Sequence, residues 1–260
     1  VKVSGVSKFW LLLALATGGY ALFLLAMLAA TATYSSPSDL LKALQSREIQ
    51  HSIQLSLLTC SVTAALSLLI AVPAGFLLSR SNFPGKLWLE AVLDIPIVLP
   101  PMVIGLCLLI FFQTAAGRLI EKAIPLTYTV PGVVLAQLVI GAAFAIRTMR
   151  GTFDHISPRP ENVAMTLGAS RASAVWLVTL PSARRGMFAA ASVAWARSLG
   201  EFGPILVFAG ATRMKTEVLP TTVWLELSVG NLEAAVAVSL LMVAFAMLVL
   251  VAVRKAGERV

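Results

Sequence analysis

The chain has 260 residues, of which 58% are hydrophobic and only 12% charged. A soluble globular domain averages about 45–50% apolar and about 25% charged, so too little polar surface exists here to clothe a water-soluble core, and the apolar excess equally excludes a disordered chain. The net charge of +8, from 20 Lys and Arg against 12 Asp and Glu, belongs in such a chain to the inner loops of a membrane protein rather than to a nucleic-acid partner.

Six apolar runs follow one another along the sequence, at 9–38, 49–79, 95–117, 123–146, 186–212 and 234–253. A helix crosses the hydrocarbon core with about 20 such residues. The runs are continuous rather than alternating, which predicts helices and not the strands of a barrel. The expected architecture is all-α: one polytopic membrane domain over 1–260 with six transmembrane helices. The first run follows Lys2 and Lys8 and contains Ala30-Thr31-Ala32, which resembles a signal-peptide cleavage site. Its apolar stretch exceeds the about 7–15 residues of a signal peptide, so a retained helix is expected.

Basic residues set the orientation. With the N-terminus inside, 13 Lys and Arg fall on inner segments and 6 on outer ones, while Arg197 lies within a run. Basic residues concentrate in cytoplasmic loops, so both termini are expected in the cytoplasm. Cys60 and Cys107 sit inside apolar runs, and His51 and His155 are the only histidines. Neither a disulfide nor a metal site is expected.

Two runs are interrupted. Asp94, Pro96, Pro100 and Pro101 open the third, and prolines there remove backbone donors and kink a helix. The fifth carries Arg197, Gly200, Glu201, Gly203 and Pro204. A charge at mid-bilayer costs about 2.5–3.5 kcal/mol, so two of them need a reason. Arg197 and Glu201 are spaced to meet on one helix face. They read either as a structural ion pair or as a positive charge on an anion path held by its carboxylate. Asp94, Pro100, Pro101, Arg197, Glu201 and Gly203 are the candidates for a path or gate.

Between the fourth and fifth runs lies a basic inner loop over about 147–186, far longer than the roughly 2–8 residues usual between helices. It holds Glu161-Asn162-Val163-Ala164-Met165-Thr166-Leu167-Gly168-Ala169-Ser170, then Val178-Thr179-Leu180-Pro181. This resembles the cytoplasmic signature loop of binding-protein-dependent ABC importers: Glu-Ala-Ala, three residues, Gly, nine residues, an aliphatic, one residue, Leu-Pro. Nine residues separate Gly168 from Val178, and Leu180-Pro181 falls in register. Asn162 and Val163 depart from the family's Glu and Ala. A surface helix with a glycine cap would share the Gly but not the whole spacing. The stretches around Pro96–Gly105, Arg197–Gly203, Glu217–Pro220 and Asn231–Ala235 are similar to the oxyanion branch of that family, which imports molybdate, tungstate or sulfate.

The resemblance implies a permease subunit of the cell membrane that forms the pathway for a tetrahedral oxyanion, molybdate or tungstate first, with sulfate or thiosulfate as the alternative. It implies a second copy of the chain, two ATPase subunits that carry the Mg-ATP, an extracytoplasmic oxyanion-binding protein and the lipid bilayer as partners. It implies that Glu161, Asn162, Ala164, Gly168, Ala169, Ser170, Leu180 and Pro181 form a coupling helix and loop against the ATPase. No Gly-x4-Gly-Lys-Ser/Thr phosphate loop occurs in the chain, so no cofactor and no enzymatic activity is expected of it. Two rival classes stand beside this: an intramembrane acid protease built on Asp94 and Glu201, and a passive channel. Neither accounts for the long loop.

Overall fold

The computed structural model describes residues 8–34 and 36–259; Lys2, counted above among the inner basic residues, lies outside them. The described residues are helical, without a strand. In chain order the helices are α1 (Lys8–Thr33), α2 (Pro37–Gln45), α3 (Arg47–Arg80), α4 (Lys86–Val98), α5 (Pro101–Gln113), α6 (Ala115–Ala123) and α7 (Val130–His155). Then come α8 (Arg159–Thr166), α9 (Arg171–Ala174), a π-helical turn (Val175–Thr179), α10 (Leu180–Ser182), α11 (Arg184–Leu199), α12 (Gly203–Phe208), α13 (Leu219–Ser228) and α14 (Leu232–Arg259).

Among the described residues four helices are long and apolar enough to cross a membrane: α1, α3, α7 and α14. The pair α4 and α5 makes a fifth if counted as one span, although it bends by 113°. The third apolar run is therefore not one kinked helix. Leu99 precedes a proline and takes an extended conformation, as residues before proline tend to. Pro100 and Pro101 then start α5, where a missing N–H costs nothing. The fifth run is likewise divided, since α11 stops at Leu199 and α12 starts at Gly203.

Helix boundaries also shift from those expected. Thr129 caps α7, its hydroxyl accepting from the Gly132 N–H, and Pro131 fills the first turn. The helix begins there and not at residue 123. It continues past Arg147 and Arg150 to His155, so the segment between α7 and α11 is shorter than 147–186. Buried packing carries the helix on: Met149 and Phe153 are fully buried.

The centre of the bundle is α3 against α7, with α11 beside both. Their contact faces are small. Ser52, Ser56, Thr59, Cys60, Thr63, Ala64, Ser67, Ala71 and Gly75 of α3 are all buried. A Cβ at Gly75 would come within 2.8 Å of the Arg150 nitrogen, and one at Gly141 within 3.3 Å of the Ser198 hydroxyl. Small residues let helix backbones approach closely where lipid offers no hydrophobic drive to associate. One core cluster lies at the α8 end, where Leu78, Met149, Phe153 and Ala190 meet. Two more hold the other end, around Phe112, Ile205 and Phe208 and around Ile49, Leu219 and Val238. α1 stays exposed along its length, as a lipid-facing helix would.

Candidate functional site

The division of the fifth run creates the most unusual site in the bundle. A helix that stops inside an apolar layer frees carbonyl groups, and each must find a partner. Here the Ser198 carbonyl accepts from the side-chain amide of Gln137, at 3.1 Å. The Gln137 carbonyl oxygen in turn accepts from the Thr63 hydroxyl, also at 3.1 Å. Gln137 is 1% exposed, so one amide ties α7 to α3 and to the broken end of α11.

Arg197 and Glu201 flank this break. Their side chains pair at 2.5 Å, and the guanidinium also lies 5.0 Å from the centre of the Phe144 ring. Glu201 lies past the last residue of α11, not within a continuous helix as the spacing suggested. The pair survives because Gly200 closes the helix with a turn, its N–H bonding back to the Arg197 carbonyl. Glu201 is 2% exposed on its side chain and Arg197 41%. The carboxylate is sealed in and the guanidinium reaches outward.

The chain beyond the break packs on the α4–α5 corner. A Cβ at Gly203 would lie 2.9 Å from the Met102 side chain, and one at Gly105 2.8 Å from Pro204. The structure thus gathers Pro100, Pro101, Gly203, Arg197 and Glu201 around two adjacent interruptions. Asp94 is not among them. It lines a cavity of about 130 Å³ with Glu90, Arg147 and Arg150. Arg147 is ten residues from Gln137 along α7, which is about 15 Å of helical rise. An acid pair of Asp94 with Glu201 does not form, since Glu201 is paired with Arg197.

At the other end of the bundle α8 packs on α9 and the π-helical turn, and its Glu161 lies 4.0 Å from Arg80 at the end of α3. It closes at Gly168, whose φ of +94° is a backbone conformation that suits glycine. The Ala169 N–H returns to the Ala164 carbonyl at 3.0 Å across this turn. Ser170 then caps α9 through the Ser173 N–H, at 3.2 Å. Leu180 packs on the core, while Pro181 is exposed. The outward face of α8 carries Asn162, Val163 at 57% exposure and Leu167 at 83%. Glu161 points the other way and is 5% exposed. Val163 and Leu167 were not among the expected contact residues; apolar side chains beside a glycine turn, on a loop long enough to be a docking surface, are the signal that marks them.

The model of the binding-protein-dependent transport system inner membrane component family matches residues 66–259. The chain belongs to this family. Its members are transport components rather than enzymes, and several apolar helices make this one a multi-pass membrane protein. The molybdate/tungstate transport system permease protein WtpB of Pyrococcus abyssi is 36% identical over 65% of the chain and 64% of its own length. The molybdenum transport system permease protein ModB of Mycobacterium tuberculosis is 37% identical over 78% of each. The sulfate transport system permease protein CysW of Synechococcus elongatus is 34% identical over 70% of the chain and 65% of its own length. Among solved structures, a bacterial ABC transporter that imports the acidic polysaccharide alginate shares the fold, with a TM-score of 0.74 at 16% identity over 96% of both chains.

Proposed function

We propose that the chain is the permease subunit of an ATP-driven importer and forms the pathway for a tetrahedral oxyanion, molybdate or tungstate, delivered by an external binding protein. The observation that carries the substrate is the likeness, at 36% and 37% identity, to permeases named for molybdate, tungstate or molybdenum. A sulfate permease at 34% supports sulfate as the second reading. A half-exposed guanidinium, steered by a buried carboxylate at a helix break, suits an anion that must be attracted without being trapped.

In this reading α11 and α12 together make a sixth crossing beside the five already described. Both termini and the 156–183 segment face the cytoplasm, in keeping with their basic residues. Two copies enclose the pathway, and an ATPase subunit with its Mg-ATP sits below each. The outward face of α8, with Asn162, Val163, Ala164 and Leu167, meets the ATPase. Gly168, Ala169, Ser170, Leu180 and Pro181 shape the loop behind it. ATP closure moves these loops, and the interrupted helices open or shut the way.

Substrate choice is tested by ATPase stimulation. The reconstituted complex is mixed with its binding protein loaded with molybdate, tungstate, sulfate or nothing. Stimulation by the molybdate- or tungstate-loaded protein above the sulfate-loaded one is expected. Stimulation by sulfate alone would move the assignment to sulfate.

A further inference from the structure

Glu161 stands one residue before Asn162, which occupies the position of the family's Glu, and it is turned inward. Its carboxylate accepts a hydrogen bond from the Thr179 hydroxyl at 3.2 Å. It also lies 4.0 Å from the Arg80 guanidinium, with side-chain exposures of 13% for Arg80 and 6% for Glu161. Arg80 is the last residue of α3. A second guanidinium nitrogen donates at 2.7 Å to the carbonyl of Ile156, the cap residue just past α7. One buried knot therefore joins four pieces of backbone: the end of α3, the end of α7, the first turn of α8 and the turn before α10. The two segments that lead into and out of the α8–α9 hairpin are held at the same point.

We infer that Glu161 is an internal positioning residue and not a contact to the ATPase: paired with Arg80, it makes α8 move as one body with α3 and α7. This rests on the importer reading, since it says how a push on the outward face of α8 reaches the membrane helices. The geometry gives the reason. α8 has only eight residues and few neighbours of its own, so a short helix on a loop would yield locally to any push. At 4.0 Å the two charges are not hydrogen-bonded to each other, but removing either leaves the other buried without its counter-charge, and this holds the helix at its N-terminal turn. That turn also favours an acidic residue through the helix dipole. α3 and α7 are the helices whose small faces form the bundle centre, and they carry Thr63 and Gln137 to the break beside Arg197. A displacement of α8 is thus delivered to the end of the two helices that support the candidate path.

The test is a double-mutant cycle in the full complex in lipid vesicles: wild type, Arg80→Gln, Glu161→Gln and both together. The readouts are oxyanion taken up per ATP hydrolysed and the hydrogen exchange of the 162–167 amides. Glu161→Gln retains an acceptor for Thr179, so the complex is expected to assemble. Each single variant should lower uptake per ATP by about fivefold, and the double variant by no more than about the same factor, because paired residues are not additive. Exchange at 162–167 should quicken alike in all three. If Arg80→Gln does not assemble, Arg80→Lys takes its place in the cycle, keeping the charge but not both contacts. Multiplying losses in the double variant, unchanged exchange, or loss of the ATPase subunit from the Glu161→Gln complex would overturn the inference. A wild-type complex that takes up no oxyanion would refute the importer reading instead, and the exchange data would still decide on the knot.

Discussion

Replacing Gln137 by leucine tests whether the break in the fifth run is a built feature. The two side chains are similar in size, so little cavity or overlap is created. What is lost is the amide that closes the end of α11. The Thr63 hydroxyl retains a second acceptor, the Val134 carbonyl at 3.4 Å, and can shift to it. The Ser198 carbonyl likewise keeps the Glu201 backbone N–H, at 3.2 Å, so neither group is left bare. The cost is that of two lost hydrogen bonds, about 0.5–1.5 kcal/mol net each, or a destabilisation of about 1–3 kcal/mol. For a chain of this size that is a fall in melting temperature of about 2–12 °C, at about 2–4 °C per kcal/mol. The assay follows a thiol-reactive dye in nanodiscs on a Cys107→Ser background. Cys60 is fully buried beside Gln137 and reports unfolding. A melting temperature within 1 °C of wild type (about half a kcal/mol or less), or above it, would refute the reasoning.

Arg197→Ala should destabilise the complex by leaving Glu201 sealed in without a partner, by less than the about 3–5 kcal/mol of a fully buried pair because Arg197 is 41% exposed. The double change of Arg197→Met and Glu201→Leu should restore folding and ATP hydrolysis but not oxyanion uptake; uptake at the wild-type rate in that variant would make the pair purely structural. Gly168→Trp should assemble and hydrolyse ATP with uptake strongly reduced: nothing lies within 4 Å of an added Cβ, but a φ of +94° strains any residue other than glycine, so a distorted α8 turn adds to the bulk shown to the partner; uptake per ATP equal to wild type would count against docking there. Glu217 is fully buried in the turn before α13, with neither carboxylate oxygen hydrogen-bonded, and burial pushes its carboxyl above the ordinary 4.5. Its raised value makes the wild type lose stability as pH rises through the folded value, so Glu217→Gln should match wild type at low pH and exceed it in melting temperature near neutrality; equal curves across that range would show that the site does not hold the carboxyl up.

What could be read from the residues follows from what composition controls. Runs without charge must lie in lipid, and α3 and α14 contain the runs that pointed to them. The breaks were legible as prolines and glycines, but their geometry was not. Proline at 100 and 101 says that a helix is disturbed; only the packing of Gly203 on Met102 decides that the chain turns a corner there. Charge ends the apolar run at Arg147 and so marks a loop from there, yet α7 continues through Arg147 and Arg150 on buried contacts by Met149 and Phe153. Gln137 was invisible to a scan for charges, being the one amide in its run. Arg80 looked like any basic residue at a helix end. Its partner stands 81 positions away, and no local pattern connects them.

In the proposed function this chain carries an oxyanion through the membrane only when an ATPase drives it. The direct measurement is uptake of radiolabelled molybdate into vesicles holding the chain with its ATPase and binding protein, with ATP, without ATP, and without the binding protein. Accumulation against a gradient is expected with all components, and none when ATP or the binding protein is left out. Flux that persists without ATP and only equalises the two sides would contradict it, and would make the protein a channel.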